Sequence, residues 1–583
     1  MGSYVSFAVL MLMNVQRRSF RLLMVLLGAC YGLVGLQVAM AQGDTTGWHG
    51  QRGGLVAPLD IPLVLAGNFG ELRENHFHTG LDFKTEGREG FPILAAHDGV
   101  IARIKVSPFG YGRALYLSGP SGITTVYAHL QRFAPSLEQW ALERQYQRQQ
   151  FAIDESPKRA FAFQQGDTIG WSGNSGGSAG PHLHFEVRET ATQRPVNPLF
   201  WGFNVPDSEA PELTGLWVLP VQGGRVNGSP RPQLISPQSS TFRIEGEARF
   251  GIEALDRLNG ARNRCGIYRA ELWVNEVRVH SWELDTLDFG VNRDMNALAY
   301  YKAWERTGNQ TYRMHRLPGS RLPIHDAGQA TVSVMRQDTT PILIRVWDVH
   351  GNIRENEWMV EWGTDSSGSG APLDYAYDRD HTLEKNGARV HVARNTFYED
   401  FDFPLELDER RGIWSIGLRG LPVAKSMVVS LPSVMPALRR GATLVTQIDR
   451  NGEVEGVLTG TWASPSSFEF ETKACGRFEL AVDTVSPSIR PHRRHCTESE
   501  GEVVVRNFGE LRFNLADDLA GIQSWEAYLD GAWMLLRWDP KRERIWYELA
   551  DGRHAMNRTQ SLEIRVRDEV GNEAIWSGTV RFE

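Results

Sequence analysis

Gly180-Pro-His182-Leu-His184-Phe-Glu186-Val187 alternates in a period of two, the pattern of a strand with one face buried. Side chains two apart on a strand share a face, so His182 and His184 point to the same side. Two further pieces lie upstream: His78-Thr-Gly-Leu-Asp82 and Tyr127-Ala-His129. Imidazole and carboxylate are the usual nitrogen and oxygen ligands of zinc, and a catalytic zinc keeps three protein ligands and one water. The five residues His78, Asp82, His129, His182 and His184 can supply that and leave two histidines for proton chemistry. Zinc lowers the pKa of a water toward neutrality, so hydrolysis is expected without a serine or cysteine nucleophile. Each piece alone is weak, because a His-x-His pair on a strand usually has nothing to do with metal. Their grouping within one compact, strand-like and Gly-rich stretch is the stronger signal.

The ordered run of matches extends well beyond the histidines. It includes Gly67-Asn-Phe-Gly-Glu-Leu-Arg73, Pro92-Ile-Leu-Ala-Ala-His-Asp-Gly99, Gly110-Tyr-Gly112, Gly166-Asp-Thr-Ile-Gly170 and Gly173-Asn-Ser-Gly176. On these stretches, residues from about 64 to 200 resemble the lysostaphin/LytM-type zinc metallopeptidases, which cleave peptide bonds in the peptides of bacterial peptidoglycan. The resemblance implies one Zn²⁺ held by His78, Asp82 and His184, with His182 as general base and His129 orienting the water or stabilising the oxyanion. It also implies an alternative function, since some relatives have lost ligands and act only as wall-binding or activator proteins that keep the fold. No member of the set is missing in this chain.

Competing readings of the region are weaker. Gly173-Asn-Ser175-Gly-Gly177 fits Gly-x-Ser-x-Gly, but it leads into a strand instead of the helix that a nucleophile elbow requires. A Gly-rich turn that doubles the chain back beside the metal explains it better. His76 and His97 fall on no motif position and read as solvated or hydrogen-bonded histidines.

The chain has 583 residues, 41% hydrophobic and 23% charged, with a net charge of -8. At roughly 100 to 200 residues per domain this implies several domains. Without a basic run in the mature region, nucleic acid is not an expected partner. Peptidoglycan peptides are, and an envelope protein could meet the later modules. Arg17, Arg18 and Arg21, an apolar stretch from Leu22 to about Val38, and Ala39-Met-Ala41 read as a signal peptide over residues 1–41. Secretion across the inner membrane to the periplasm or cell envelope follows, and Leu27-Gly-Ala-Cys30 offers lipoprotein anchoring as the lesser reading. Of the later cysteines, Cys265, Cys475 and Cys496, the last two could pair.

Beyond residue 204 the sequence turns to short alternating strands and Gly, Asp and Asn turns, which suggests β-sandwich modules. A repeat is visible: Asp207-Ser-Glu-Ala-Pro211 recurs as Asp483-Thr-Val-Ser-Pro487, and Ile344-Arg-Val-Trp-Asp348-Val-His-Gly-Asn352 as Ile564-Arg-Val-Arg-Asp568-Glu-Val-Gly-Asn572. The expected fold is mainly β: an antiparallel LytM-like metallopeptidase domain at 42–204, an Ig-like β-sandwich at 205–363, a β-rich domain at 373–484 and a second Ig-like sandwich at 485–583. Thr364-Asp-Ser-Ser-Gly-Ser-Gly370 has linker composition. The later modules read as accessory, so a chain ending near Phe203 is expected to fold and hold metal alone. Residues 136–162 form an insertion beginning with Ser136 and Gln139 at capping-box spacing, which predicts a helix and suggests a flap over the cleft.

Overall fold

In the computed structural model the strand beginning at His182 runs to Glu189 and lies inside a nine-stranded antiparallel sheet. The structure describes residues 54–583 apart from 159, 327–329, 333–338, 364–372, 433–439, 493–495, 500–501 and 506–508. The expected signal peptide, the linker Thr364–Gly370 and Arg493–His495 therefore lie outside the described residues. No helix among the described residues is long and apolar enough to cross a membrane.

Across the sheet the order is Leu65–Gly67, Leu81–Lys84, His182–Glu189, Ile123–Ala128, Ala114–Ser118, Gly99–Val106 and Ile153–Glu155. Its register puts His184 opposite Asp82 on one side and Ala128 on the other. Because the side-chain period is two, the same register turns Leu183, Phe185 and Val187 to the other face, where all are buried. The Phe185 ring packs there 5.4 Å from Tyr127 and 5.6 Å from Phe203. Deleting such a ring costs about 3–5 kcal/mol, so burial of one face fixes what the other presents.

The insertion forms a helix, Pro135–Arg148, but not by the predicted capping box. Its N-cap is Ala134, with no side-chain cap bond, and Pro135 occupies the first turn, where its missing N–H costs nothing. Glu138 instead accepts the Phe133 N–H at 2.8 Å. Past the helix, Ile153–Glu155 and Ala162–Phe163 both return to pair with Gly99–Val106. The helix faces the end of the chain: Tyr146 meets Trp533 edge to face at 5.3 Å, and Phe151 lies 6.2 Å from Trp525. It is an anchor to the last module, not a flap.

The two repeats share a strand order. In the first, Glu212–Val226 pairs antiparallel with Thr241–Leu255, which pairs parallel with Ile353–Trp362, followed by Thr340–Trp347, Arg269–Val274 and Val277–Glu283. In the second, Ser488–Pro491 pairs with Glu510–Ala516, and Glu502–Val505 pairs parallel with Glu573–Phe582, followed by Thr559–Asp568, Ile522–Leu529 and Ala532–Trp533. One long strand in the first copy does the work of two in the second. Its bend falls at Gly246, which has φ +74° beside a register shift between Val221 and Arg225. Between the copies, two five-stranded sheets enclose one apolar cluster that includes Val390, Val429, Trp414 and Phe478. Cys475 belongs to that cluster as a free buried thiol, while the side chain of Cys496, its candidate partner, lies outside the described residues.

Candidate metal centre

All five predicted residues meet beside one face of the nine-stranded sheet. Three of them, His78, Asp82 and His184, are buried and present ligand atoms within 4.8 Å of one another. His78 Nε2 lies 3.0 Å from both Asp82 Oδ1 and His184 Nδ1, and His184 Nδ1 lies 2.9 Å from Asp82 Oδ1. Ligands about 2.0–2.1 Å from a tetrahedral ion are separated by about 3.3 Å, close to this triangle.

The remaining atoms of the three side chains are committed elsewhere. His78 Nδ1 donates to the Asn68 carbonyl at 2.7 Å, which leaves Nε2 as the lone-pair nitrogen. His184 Nε2 meets Glu186 Oε1 at 2.9 Å, and Arg73 donates to Asp82 Oδ2 at 2.9 Å. These outer contacts fix ring orientation and tautomer, as such partners do around bound metals. Glu186 is fully buried and is supported in turn by Arg188, Thr79 and Tyr111.

The electrostatics favour positive charge at this point. Burial opposes a proton on His184, but hydrogen bonds to Asp82 and Glu186 outweigh it and lift the pKa to about 9. Burial pushes His78 down and keeps its imidazole neutral, the metal-binding form. Asp82 is held well below the carboxylate range, since His78, His182 and His184 overcome its burial. The donor set that would keep a proton on His184 suits a divalent cation equally well, so the residues fit a metal.

His182 and His129 stand beside this triangle with ring centroids 4.8 Å apart. His182 Nδ1 donates to the Gly180 carbonyl at 2.8 Å, and its Nε2 faces Asp82 Oδ1 at 3.4 Å. His129 Nδ1 donates to the Ser175 carbonyl at 2.8 Å. Burial, with His184 and His182 nearby, pushes His129 down to about 3. Both rings therefore present a lone pair at Nε2. Ser175 has no nucleophile geometry: its Oγ donates to the Leu130 carbonyl and accepts from Arg113 N–H. The first glycine of the match, Gly173, lies where a Cβ would come within 2.3 Å of Gln131 N, so the Gly-x-Ser-x-Gly match reflects close packing of a turn. His97 is buried on Thr125 and Asp98, while His76 is exposed and lines the cleft.

The cleft holds about 1110 Å³, and no residue of the 136–162 insertion lines it. Its outer wall is Asn263, Arg264, Phe289 and Asn292, all from beyond residue 204. Sequence reading missed this wall. Asn292 Oδ1 accepts Phe77 N–H at 2.9 Å, next to His78. Asn68, whose carbonyl orients His78, exchanges two side-chain bonds with the Gly266 backbone at 2.7 and 2.9 Å. Residues after 204 thus hold His78 from both sides. Tyr111, Glu186 and Arg73 stood inside the matched stretches without an assigned role.

Residues 76–143, which contain His78, Asp82 and His129, match the peptidase family M23 profile. The chain carries an M23 peptidase domain. Among similar proteins is DD-carboxypeptidase/endopeptidase Mpg of Neisseria meningitidis serogroup B, 33% identical over 130 residues, 22% of this chain and 24% of the relative. An uncharacterized metalloprotease of Haemophilus influenzae is 30% identical over 122 residues, 21% of this chain and 20% of that one. This chain spans about a quarter of the length of the curated relatives it matches. The catalytic domain of lysostaphin from Staphylococcus simulans aligns at 24% identity, covering 23% of this chain and 86% of that one with a TM-score of 0.17. The M23 domain is followed in this chain by the β-rich modules described above.

Proposed function

We propose that this protein is a secreted zinc-dependent endopeptidase that hydrolyses peptide bonds in peptidoglycan and works in the periplasm or cell envelope. The observation that carries the reading is the closed triangle of His78 Nε2, Asp82 Oδ1 and His184 Nδ1, with two further imidazole lone pairs beside it. A fold kept only for binding has no need of that set. The name of the Neisseria relative, DD-carboxypeptidase/endopeptidase, extends here to a bond of the D,D type.

His78, Asp82 and His184 would hold one zinc ion. When bound, it supplies a Lewis acid that polarises a carbonyl and makes a water more acidic. The protein's own groups do the rest. His182 is fixed by the Gly180 carbonyl with its Nε2 lone pair toward the triangle, so it takes a proton from the attacking water and returns it to the leaving amine. His129 has its only proton on Nδ1, occupied by Ser175, so Nε2 accepts a hydrogen bond and orients the water. The same tautomer gives a neutral His129 no N–H with which to support an oxyanion. The cleft between the sheet face and Asn263–Asn292 takes an extended peptide. Residues 205–363 and 485–583 are two copies of an Ig-like module, and 373–484 is a third β domain; together they are the surfaces for an envelope partner.

Two variants test the assignment. His184→Ala should lose both zinc and hydrolysis, whereas His182→Ala should keep zinc and lose hydrolysis. Equal zinc loss in both would show that the pair is wrongly assigned.

A further inference from the structure

Two acidic groups outside the M23 domain occupy equivalent places in the two repeats. In the first, Asp207 precedes the strand Glu212–Val226, Asp256 directly follows Thr241–Leu255, and Asp348 directly follows Thr340–Trp347. In the second, Asp483 precedes Ser488–Pro491, Asp517 directly follows Glu510–Ala516, and Asp568 closes Thr559–Asp568. Strand pairing brings these ends together, Glu212 opposite Leu255 and Ser488 opposite Ala516. Ligand atoms of Asp207, Asp348 and His350 lie within 4.8 Å of one another, and so do those of Asp483, Asp517 and Asp568. The third carboxylate is steadied alike in both copies, by Asn352 Nδ2 on Asp348 at 2.7 Å and Asn572 Nδ2 on Asp568 at 2.7 Å.

Convergence of carboxylates alone is not a site. The second observation is an unpaired atom. Asp256 is only 2% exposed, and its Oδ1 is buried without a hydrogen bond. Besides burial, the main influences that raise its pKa, to about 8, are the like charges of Asp348 and Asp207. In the second copy the half-buried Asp517 accepts the Gly521 N–H at 2.7 Å with Oδ2 and keeps a buried Oδ1 without a hydrogen bond. A buried acceptor left unmade is costly, and each orphan in a folded protein calls for a cause. The corresponding aspartate thus keeps one orphaned oxygen in each of two modules of different sequence. A hard cation would ligate it and relieve the repulsion in one step.

The donor chemistry selects the ion. The second copy offers oxygen alone, with Val570 where the first has His350, and neither offers a thiolate. Such carboxylate sets suit calcium, which accepts six to eight oxygens in flexible geometry. We propose that each repeat binds one calcium ion, through Asp207, Asp256 and Asp348 in the first and Asp483, Asp517 and Asp568 in the second. The ion ties the entering chain to two strand ends and so stiffens the junction with the preceding module. Asp483 sits at such a junction, its N–H donating to the Ala442 carbonyl at 2.9 Å.

The test is calorimetric titration of the chelator-treated, dialysed full chain with calcium chloride, alongside thermal unfolding with and without calcium. Weak structural calcium modules bind on the order of 10⁻⁴ to 10⁻³ M, so the titration must pass that range. The expected result is two ions per chain and a raised unfolding midpoint. Asp256→Asn and Asp517→Asn should each remove one ion, and the double variant both ions and the shift. An unmodified chain that takes up no calcium, or a double variant that still takes up two ions, would overturn the proposal. The first of these outcomes does not depend on how the variants fold.

Discussion

Lys541 Nζ donates to the Asn174 carbonyl at 2.6 Å and to the Ser178 carbonyl at 3.0 Å, tying the last module of the chain to the turn that delivers His182. Those carbonyls belong to a Gly- and Ser-rich turn whose first half is pinned by Ser175 on the Leu130 carbonyl and by the Gly177 N–H on the Gly110 carbonyl. An ammonium shared between two carbonyls fixes the approach to Gly180, whose own carbonyl sets the His182 ring. Lys541→Met should therefore lower turnover by roughly tenfold through misplacement of the base, with zinc content unchanged. Steady-state kinetics and metal analysis on the same preparation check this. Full turnover in the variant would show that the turn holds itself.

A second expectation concerns Gly266 and Asn292, which hold Asn68 and Phe77 on either side of His78 from the far wall. Asn292→Leu leaves the Phe77 N–H unpaired, at a cost of about 1–3 kcal/mol. Loosening an outer support of a ligand typically lowers metal affinity on the order of 10- to 100-fold. Zinc competition against a chelator should show this for Asn292→Leu, and a chain ending near Phe203, which loses both supports, should bind zinc more weakly still. Undiminished affinity in the short chain would restore the simpler picture of a self-sufficient M23 domain.

The insertion gives a third. Because Tyr146 packs on Trp533 and no residue of 136–162 lines the cleft, Tyr146→Ala should leave hydrolysis of a short peptide unaltered. It should lower the unfolding midpoint, since an edge-to-face pair contributes about 0.5–1.5 kcal/mol beyond its buried area. A change in peptide kinetics without a change in stability would return the segment to a gating role.

The five residues of the centre were legible because their chemistry is local to short motifs and the strand period decides which of them share a face. The tautomers of His129 and His182 were not, because the Ser175 and Gly180 carbonyls that set them follow from turn geometry. The outer wall was illegible for another reason. The pairs Asn68–Gly266, Phe77–Asn292 and Asn174–Lys541 join residues hundreds of positions apart, and no periodicity records such contacts. The insertion shows how a local signal can mislead. Ser136 and Gln139 have capping-box spacing, but the N-cap is Ala134, two residues earlier, with Pro135 as the first helical residue, so both lie inside the helix. The repeat was read from its Asp and Gly-Asn marks, and the matching strand order follows from the same turns, since Asn352 and Asn572 both fold back on the aspartate four residues before.

Acid sensitivity is expected from the first repeat. Burial, with His280 and Arg316 nearby, pushes His325 down to about 3, below the ordinary value of 6.5. Between those values the unfolded chain binds the proton and the folded one does not, so stability rises with pH. The contribution is full above about pH 6.5 and is lost as the pH falls toward 3, on the order of 2 kcal/mol between pH 7 and pH 5. His315, buried and also pushed down, acts in the same direction. Urea unfolding at the two pH values should show the loss, and His325→Gln should reduce the difference without removing it. An equal difference in the variant would place the sensitivity elsewhere.

The central claim is tested most directly by digesting purified peptidoglycan with the zinc-loaded full chain and determining the masses of the released fragments. The account predicts peptide fragments that each carry a new amine or carboxyl end from a cut amide bond, and none after chelation or with His182→Ala. Intact peptide cross-links after prolonged digestion by a chain that demonstrably holds zinc would contradict it.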